Sequence, residues 1–207
     1  MNISNLSQSH FARSLLALAL AASAGLAQAE TFHAEINTAA FAGNSGWLDI
    51  QFNPGSLPAV GATVTLSHFT GSFGAAQALE GDVTGSLASG FVLGNTSSFN
   101  DLFQAVNMGG KFGFDISFGG DFVNTAGAVG TTFSVGLLGS DQASYLGNPD
   151  GALFKIELMP MNLSISPEIL NNSISSVTAA VPEPASYALL LGGLTMLGAF
   201  ARRRQAR

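Results

Sequence analysis

Apolar side chains recur at every second position in several stretches between residues 30 and 180. The clearest alternation runs over residues 112–118, where phenylalanine and isoleucine alternate with polar or small residues. Residues 48–52, 133–137 and 154–158 show the same alternation. A period of two is that of a strand with one buried face, so each of these stretches predicts a strand.

Weaker patterns extend the same fold. Residues 63–69 and 82–93 predict two further strands, and residues 31–36 and 173–178 predict strands at the two ends. Clusters of Gly, Asn, Asp and Pro separate the stretches, which is typical of turns. Short one-sided strands without long helical patterns predict an all-β body, an antiparallel β-sandwich of jelly-roll type.

One stretch has a different period. Phe99, Leu102, Phe103 and Val106 fall at i, i+3, i+4 and i+7, which is the apolar stripe of an amphipathic helix. We interpret residues 99–106 as a short helix that crosses an edge of the sandwich. A bent strand is the alternative.

Residues 1–29 predict a secretory signal peptide. Arg13 precedes an apolar run, and Ala27 and Ala29 provide the small residues that a signal peptidase requires before its cleavage site. We therefore expect the mature chain, and with it the body over residues 30–180, to begin at Glu30. An uncleaved N-terminal anchor is the alternative, which the shortness of the apolar run disfavours.

Residues 181–207 fall into three parts. They are the motif Val181, Pro182, Glu183 and Pro184, an uncharged apolar run over residues 187–201, and a basic end with Arg202, Arg203, Arg204 and Arg207. The run predicts a transmembrane helix over about residues 185–201, with the arginines on the cytoplasmic side and the body across the membrane. A C-terminal helix packed on the body is the alternative.

This order of motif, apolar run and arginine cluster resembles the PEP-CTERM sorting signal, a segment also catalogued as an ice-binding-protein C-terminal domain. The resemblance implies recognition by an exosortase, an integral membrane protease related in chemistry to transpeptidases. It implies cleavage near residues 182–184. It also implies an inner-membrane precursor whose body then reaches the cell surface or the medium, in cells that produce exopolysaccharide.

The charge of the body limits its partners. Between residues 30 and 180 two lysines oppose twelve acidic residues, for a formal charge of −10. Such a body should not bind nucleic acid or a strongly anionic membrane surface. The chain has no cysteine, so its core must be stable without disulfides.

Motifs for catalysis and metal binding are missing from the sequence. There is no nucleophile elbow, P-loop or zinc-protease motif, and the carboxylates are scattered singly, so no acid–base pair can be chosen. His33 and Glu35 share a strand face and could bind a metal, but an exposed polar face is the preferred interpretation. Asp141, with Asn148 and Asp150, brackets a loop that could hold Ca²⁺, where a turn is preferred. We expect no cofactor and no metal.

Trp47 is the one aromatic residue on a polar strand face, beside Asp49 and Gln51, where a sugar ring could stack or a loop could cover it.

We expect an exported, non-enzymatic surface or biofilm-matrix protein, which an exosortase sorts and which associates with exopolysaccharide. A lectin-like carbohydrate-binding module is the alternative, by analogy with other jelly rolls. A glycan-active enzyme is the third possibility.

Overall fold

The computed structural model describes residues 31–162 and 165–180, together with Gly193 and Leu194. Within these residues the chain forms twelve strands in two antiparallel sheets, with two short 3-10 helices at Ala39–Phe41 and Asp121–Val123. The strands are β1 (Thr31–Asn37), β2 (Ser45–Pro54), β3 (Thr63–Thr70), β4 (Phe73–Glu80), β5 (Val83–Ser86), β6 (Gly90–Gly94), β7 (Asp101–Asn107), β8 (Lys111–Gly119), β9 (Thr131–Gly139), β10 (Ala152–Leu158), β11 (Pro167–Ile169) and β12 (Ser175–Ala179).

Strands that are distant in sequence lie side by side. Sheet 1 has the order β12-β1-β8-β3-β6-β5, and sheet 2 has the order β11-β10-β9-β2-β7-β4. β1 and β3 thus both pair with β8, and β2 pairs with β9, so the first half of the chain is interleaved with the second. The all-β prediction with antiparallel sheets is confirmed.

The two sheets pack face to face through phenylalanine rings. Phe118 on β8 has its ring centroid 6.3 Å from that of Phe32 in the same sheet. Its centroid lies 6.4 Å from that of Phe52 and 6.0 Å from that of Phe133, both in sheet 2. These side chains are buried, so the period of two in the sequence marks the faces that form this core.

The structure corrects one of the strand predictions and adds two strands, β4 and β11, that were not predicted. Residues 82–93 form a hairpin, β5 and β6, instead of one strand, because the turn at Ser86–Gly90 reverses the chain and Gly90 adopts a φ of 84°. β4, at an edge of sheet 2, was not predicted. Most of its side chains are exposed and small, so it lacks the apolar alternation that identifies a strand.

The helix interpretation of residues 99–106 is wrong, and the alternative of a strand is correct. β7 buries Leu102, Gln104 and Val106 at every second position. Gln104 is 1% exposed and its Nε2 donates a hydrogen bond to the carbonyl oxygen of Gly74 at 2.8 Å. A polar residue at the centre of the buried face therefore hid the period of two.

The predicted processing segments lie outside the described residues. These include the signal peptide over residues 1–29, its cleavage site at Ala27, Ala29 and Glu30, and the sorting motif. They also include the arginine cluster and, apart from Gly193 and Leu194, the predicted transmembrane helix over residues 185–201. In the part of the chain that the structure describes, no helix has the length and apolar character needed to span a membrane.

Replacing Phe118 by alanine should lower the free energy of unfolding by about 3–5 kcal/mol, because it removes a buried ring that contacts both sheets. Urea denaturation of residues 30–180 measures this value. The control is Phe99→Ala, at an exposed ring, which should cost less than about 1 kcal/mol. Similar losses in the two variants would show that the inter-sheet contact of Phe118 is not a main source of stability.

Candidate functional site

The outer face of sheet 2 brings aromatic and polar side chains together. β2 directs Leu48, Ile50 and Phe52 into the core, so Trp47 and the alternate residues after it lie on the opposite face. On β7, the neighbouring strand, Phe103 lies on this outer face. The Trp47 and Phe103 rings stack with their centroids 4.9 Å apart and 9° between their planes.

A cleft of about 220 Å³ lies beside Trp47. It is lined by Ser45, Gly46, Trp47, Gly74, Ala105, Val106, Asn107, Ser140 and Gln142. The hydroxyl and amide groups at its wall provide hydrogen-bond donors and acceptors next to a large ring. We call this site the Trp47 cleft.

The structure answers in part whether a loop covers Trp47. Phe103 covers one ring face, and Ser140 and Gln142 reach the cleft from the loop between β9 and β10. Trp47 is left half-buried. A sugar contact at Trp47 stays a prediction. The cleft has one aromatic stack, Trp47 with Phe103, beside it, and not a row of exposed rings along the sheet.

A pair of carboxyl groups lies next to this stack. Asp49, which is 8% exposed, is followed on the same face of β2 by Gln51, whose Nε2 donates to both carboxylate oxygens of Asp49 at 2.9 and 3.1 Å. Asp101 on β7 hydrogen-bonds to Asp49. Burial, this hydrogen bond and the negative charges of Asp49 and Glu80 raise the pKa of Asp101 to about 8. Asp101 therefore stays protonated at neutral pH, and its hydroxyl donates a hydrogen bond to Asp49.

Direct contact between the two carboxyl groups is not the arrangement of a glycosidase. In those enzymes the catalytic carboxyl groups are about 5–10 Å apart, because the sugar and often a water molecule lie between them. Asp49 and Asp101 leave no such space, since one donates a hydrogen bond to the other. The pair is suited to holding a proton and to joining β2 to β7.

Sequence reasoning missed this pair. Asp49 and Asp101 are 52 positions apart, and Asp101 lies inside residues 99–106, which the apolar stripe predicts as a helix. The pair forms because β2 and β7 are neighbours in a register that sets Gln51 opposite Asp101 and Asp49 opposite Phe103. No signal within either strand specifies that register.

A second polar cluster lies on the outer face of sheet 1. His33 Nδ1 on β1 lies 2.7 Å from Asp115 Oδ1, and His68 Nδ1 lies 2.8 Å from Asp115 Oδ2. Burial alone would raise the pKa of Asp115, but the hydrogen bonds from the two histidines outweigh it and lower the pKa. Glu35, considered as a metal ligand with His33, instead pairs with Lys111 at 2.8 Å.

The loop considered for Ca²⁺ uses its polar groups within its own turns. Asp141 accepts hydrogen bonds from the backbone N–H of Ser144 at 3.0 Å and from its hydroxyl at 2.5 Å. Asn148 accepts one from the backbone N–H of Asp150 at 3.2 Å and donates to the carbonyl of Ala152. Over residues 31–162 and 165–180 no group of three or more His, Asp or Glu side chains has the geometry of a metal site.

Comparison with known protein families identifies the C-terminal segment as a sorting motif. Residues 180–205 match the family model of the PEP-CTERM protein-sorting motif, and this match confirms the resemblance found in the sequence. The motif indicates an exported protein that an exosortase processes, with a membrane-anchored precursor and a product at the cell surface. No curated protein and no solved structure matches the chain.

The stability of the body should depend on pH through Asp101. Its pKa is raised from 3.8 in the unfolded chain to about 8 in the folded one. The folded state therefore binds more protons between these values, and the free energy of unfolding should fall as pH rises from 4 to 8. Urea denaturation of residues 30–180 at pH 5, 7 and 9 measures this fall.

Asp101→Asn should reduce the fall, because an amide can donate to Asp49 at every pH. The matched control is Asp150→Asn, at an exposed turn, which should keep the wild-type profile. An unchanged profile in the Asp101 variant would contradict the protonated pair.

Proposed function

We propose that this chain is a non-enzymatic protein of the cell surface or of the biofilm matrix, which associates with exopolysaccharide after an exosortase has processed it. The observation that carries the proposal is the match of residues 180–205 to the sorting motif. This segment begins directly after β12 ends at Ala179, so the sandwich has the position of the cargo. Signal peptidase would remove residues 1–29, and the helix over residues 185–201 would hold the precursor in the membrane.

The proposed architecture of the body is a jelly roll. It is supported by the order β1-β8-β3-β6 in one sheet and β2-β7-β4 in the other, because both orders alternate early and late strands. β9 to β11 extend the second sheet beyond β2, and β12 extends the first beyond β1. The fold alone does not define an activity, so the function rests on the tail and on the site.

The absence of an enzymatic role is also part of the proposal. The pair that comes closest to catalytic carboxyl groups, Asp49 and Asp101, is in direct contact, whereas glycoside hydrolysis needs a gap between its two acids. His33 and His68 both hydrogen-bond to one carboxylate, Asp115. The Ser67 hydroxyl lies 3.3 Å from the same His68 Nδ1 that contacts Asp115, whereas a catalytic triad places its acid and its serine on different ring nitrogens. These arrangements favour structural roles for the polar groups.

A carbohydrate-binding module is the second candidate, and the Trp47 cleft is the observation that favours it. A flat ring that is half exposed, with amide and hydroxyl groups at the wall, can contact the apolar face of a sugar and its hydroxyl groups together. The two candidates are compatible, since a matrix protein needs a contact with the polysaccharide.

Replacing Glu183 by alanine should keep the protein in the inner membrane at full length. The exosortase would no longer recognise the motif, whereas the apolar run that anchors the precursor is unchanged. Cell fractionation and mass analysis of both ends in a host with an exosortase measure the outcome. The wild type should appear outside the cell without residues 187–207, and Glu168→Ala, at an exposed body position, is the matched control. Equal release of the Glu183 variant would refute sorting through this motif.

Replacing Trp47 by alanine should weaken binding to the exopolysaccharide of the host by roughly fivefold or more, since a stacked ring contributes about 1–3 kcal/mol. Affinity electrophoresis of the released protein measures the change. Phe99→Ala removes an exposed ring outside the cleft and should bind as the wild type does. Gln142→Ala removes an amide from the wall of the cleft and leaves the stack of Trp47 and Phe103 in place. Weaker binding in this variant would therefore come from the cleft and not from a loss of folding. Wild-type affinity in both cleft variants would exclude the cleft as the binding site.

A further inference from the structure

The chain enters and leaves the sandwich at the same end. β1 and β12 pair with each other, and the backbone N–H of Ala180 donates to the carbonyl of Thr31 at 2.7 Å. Thr31 lies opposite Ser117, two residues before β8 ends. The sorting segment therefore leaves the body where β8 passes into the loop that follows it. We call this the basal end.

Three neighbouring loops form part of the surface of the basal end, beside the β4–β5 turn at residues 81–82 and the β6–β7 loop at residues 95–100. They connect β2 to β3 over residues 55–62, β8 to β9 over residues 120–130, and β10 to β11 from residue 159 onward. Backbone hydrogen bonds join them to each other: the N–H of Phe122 donates to Gly61 at 3.1 Å, and the N–H of Met161 donates to Phe122 at 2.8 Å. We call residues 55–62, 120–130 and 159–162 the basal loops.

The basal loops expose apolar side chains and hold almost no charge. Leu57 is 48%, Met159 38% and Met161 59% exposed. Asp121 is the one charged residue in the basal loops, in a body whose formal charge is −10. Exposed methionine and leucine on an uncharged surface are typical of an interface with an apolar partner.

The sequence after Ala180 limits how far this surface can be from the membrane. Ala185, where the predicted helix begins, follows five residues later. A fully extended chain spans at most about 3.5 Å per residue, so the basal end is within about 18 Å of the start of the helix. Because the headgroup region is itself about 5–8 Å thick on each side of the hydrocarbon core, this short tether keeps the basal end next to the headgroups.

We infer that the basal loops rest on the lipid surface of the membrane that anchors the precursor, with Leu57, Met159 and Met161 in the interfacial region. This inference rests on the proposed anchoring by residues 185–201. The acidic residues of the body make most of its surface unfavourable next to anionic headgroups, and at the basal end Glu80 and Asp82 do the same for the β4–β5 turn. The basal loops carry Asp121 as their one charged residue, so they are the part of this end that is best suited to contact the headgroups. The tether supplies the proximity, and the apolar side chains set the orientation.

The orientation has a consequence for the Trp47 cleft. The cleft lies where β2 begins, and the basal end lies where β2 ends at Pro54. Ten residues of strand separate these ends, a distance of about 30 Å at 3.3 Å per residue. The cleft of an anchored precursor therefore faces away from the membrane, and polysaccharide can reach it before the exosortase cuts the chain.

Because the chain has no cysteine, single labels test this orientation directly. The precursor is purified from a host without exosortase and placed in vesicles of phosphatidylethanolamine and phosphatidylglycerol with nitroxide-labelled lipid. An environment-sensitive fluorophore is attached at Met161→Cys or Leu57→Cys. The matched control is Leu170→Cys, which is 42% exposed and follows β11 at the opposite end. Nitroxide quenching should be several-fold stronger at the two basal positions than at the control.

The outcomes separate the inference from the function on which it rests. Equal quenching at all three positions, in precursor that floats with the vesicles, would overturn the orientation and leave the anchor intact. Precursor that does not float would overturn both. Quenching or a spectral shift at the basal positions only when exosortase is added would show that the basal loops face a protein and would also overturn the inference.

Discussion

The packing of phenylalanine rings between the two sheets is the interaction on which the rest of the structure depends. A chain without cysteine has no disulfide to join the sheets, so apolar burial must do so. Phe118 contacts Phe52 and Phe133 across the interface, and Phe133 continues the contact to Phe154 at 6.3 Å. Since alternate residues of each strand are committed to this core, the residues between them are free to form the two polar outer faces.

The sequence predicted the strands that obey this alternation and missed those that do not. β8, β9 and β10 were found because each carries apolar residues at every second position. β7 has Gln104 at the centre of its buried face, where its Nε2 donates to the carbonyl oxygen of Gly74, and β4 has few apolar side chains to bury. The period of two in the sequence marks strands that bury apolar residues. It does not identify a strand that buries a polar residue, such as β7, or a strand that buries no side chain, such as β4.

The outer faces were beyond sequence reasoning for a different reason. Their clusters join residues from strands that are distant in the chain: Asp115 on β8 accepts from both His33 and His68, and Asp49 pairs with Asp101. Each cluster depends on strand order and register, which follow from the packing of the whole sandwich. Trp47 could be identified alone, because its position on a polar face is a property of one strand. The sorting signal is also local, since a protease reads it as a linear motif.

Strand order also decides how a sorting signal and a binding cleft can belong to one small body. Because β1 and β12 are neighbours, the segments before and after the body are attached at the same end. The residues that line the Trp47 cleft lie at the other end of the sandwich. They come from the start of β2, the start of β4, the end of β7 and the loop after β9. The attachment point of the tail and the Trp47 cleft are therefore separated by the length of one strand. The residues that line the cleft and those that form the described core all lie between residues 31 and 180, in the body.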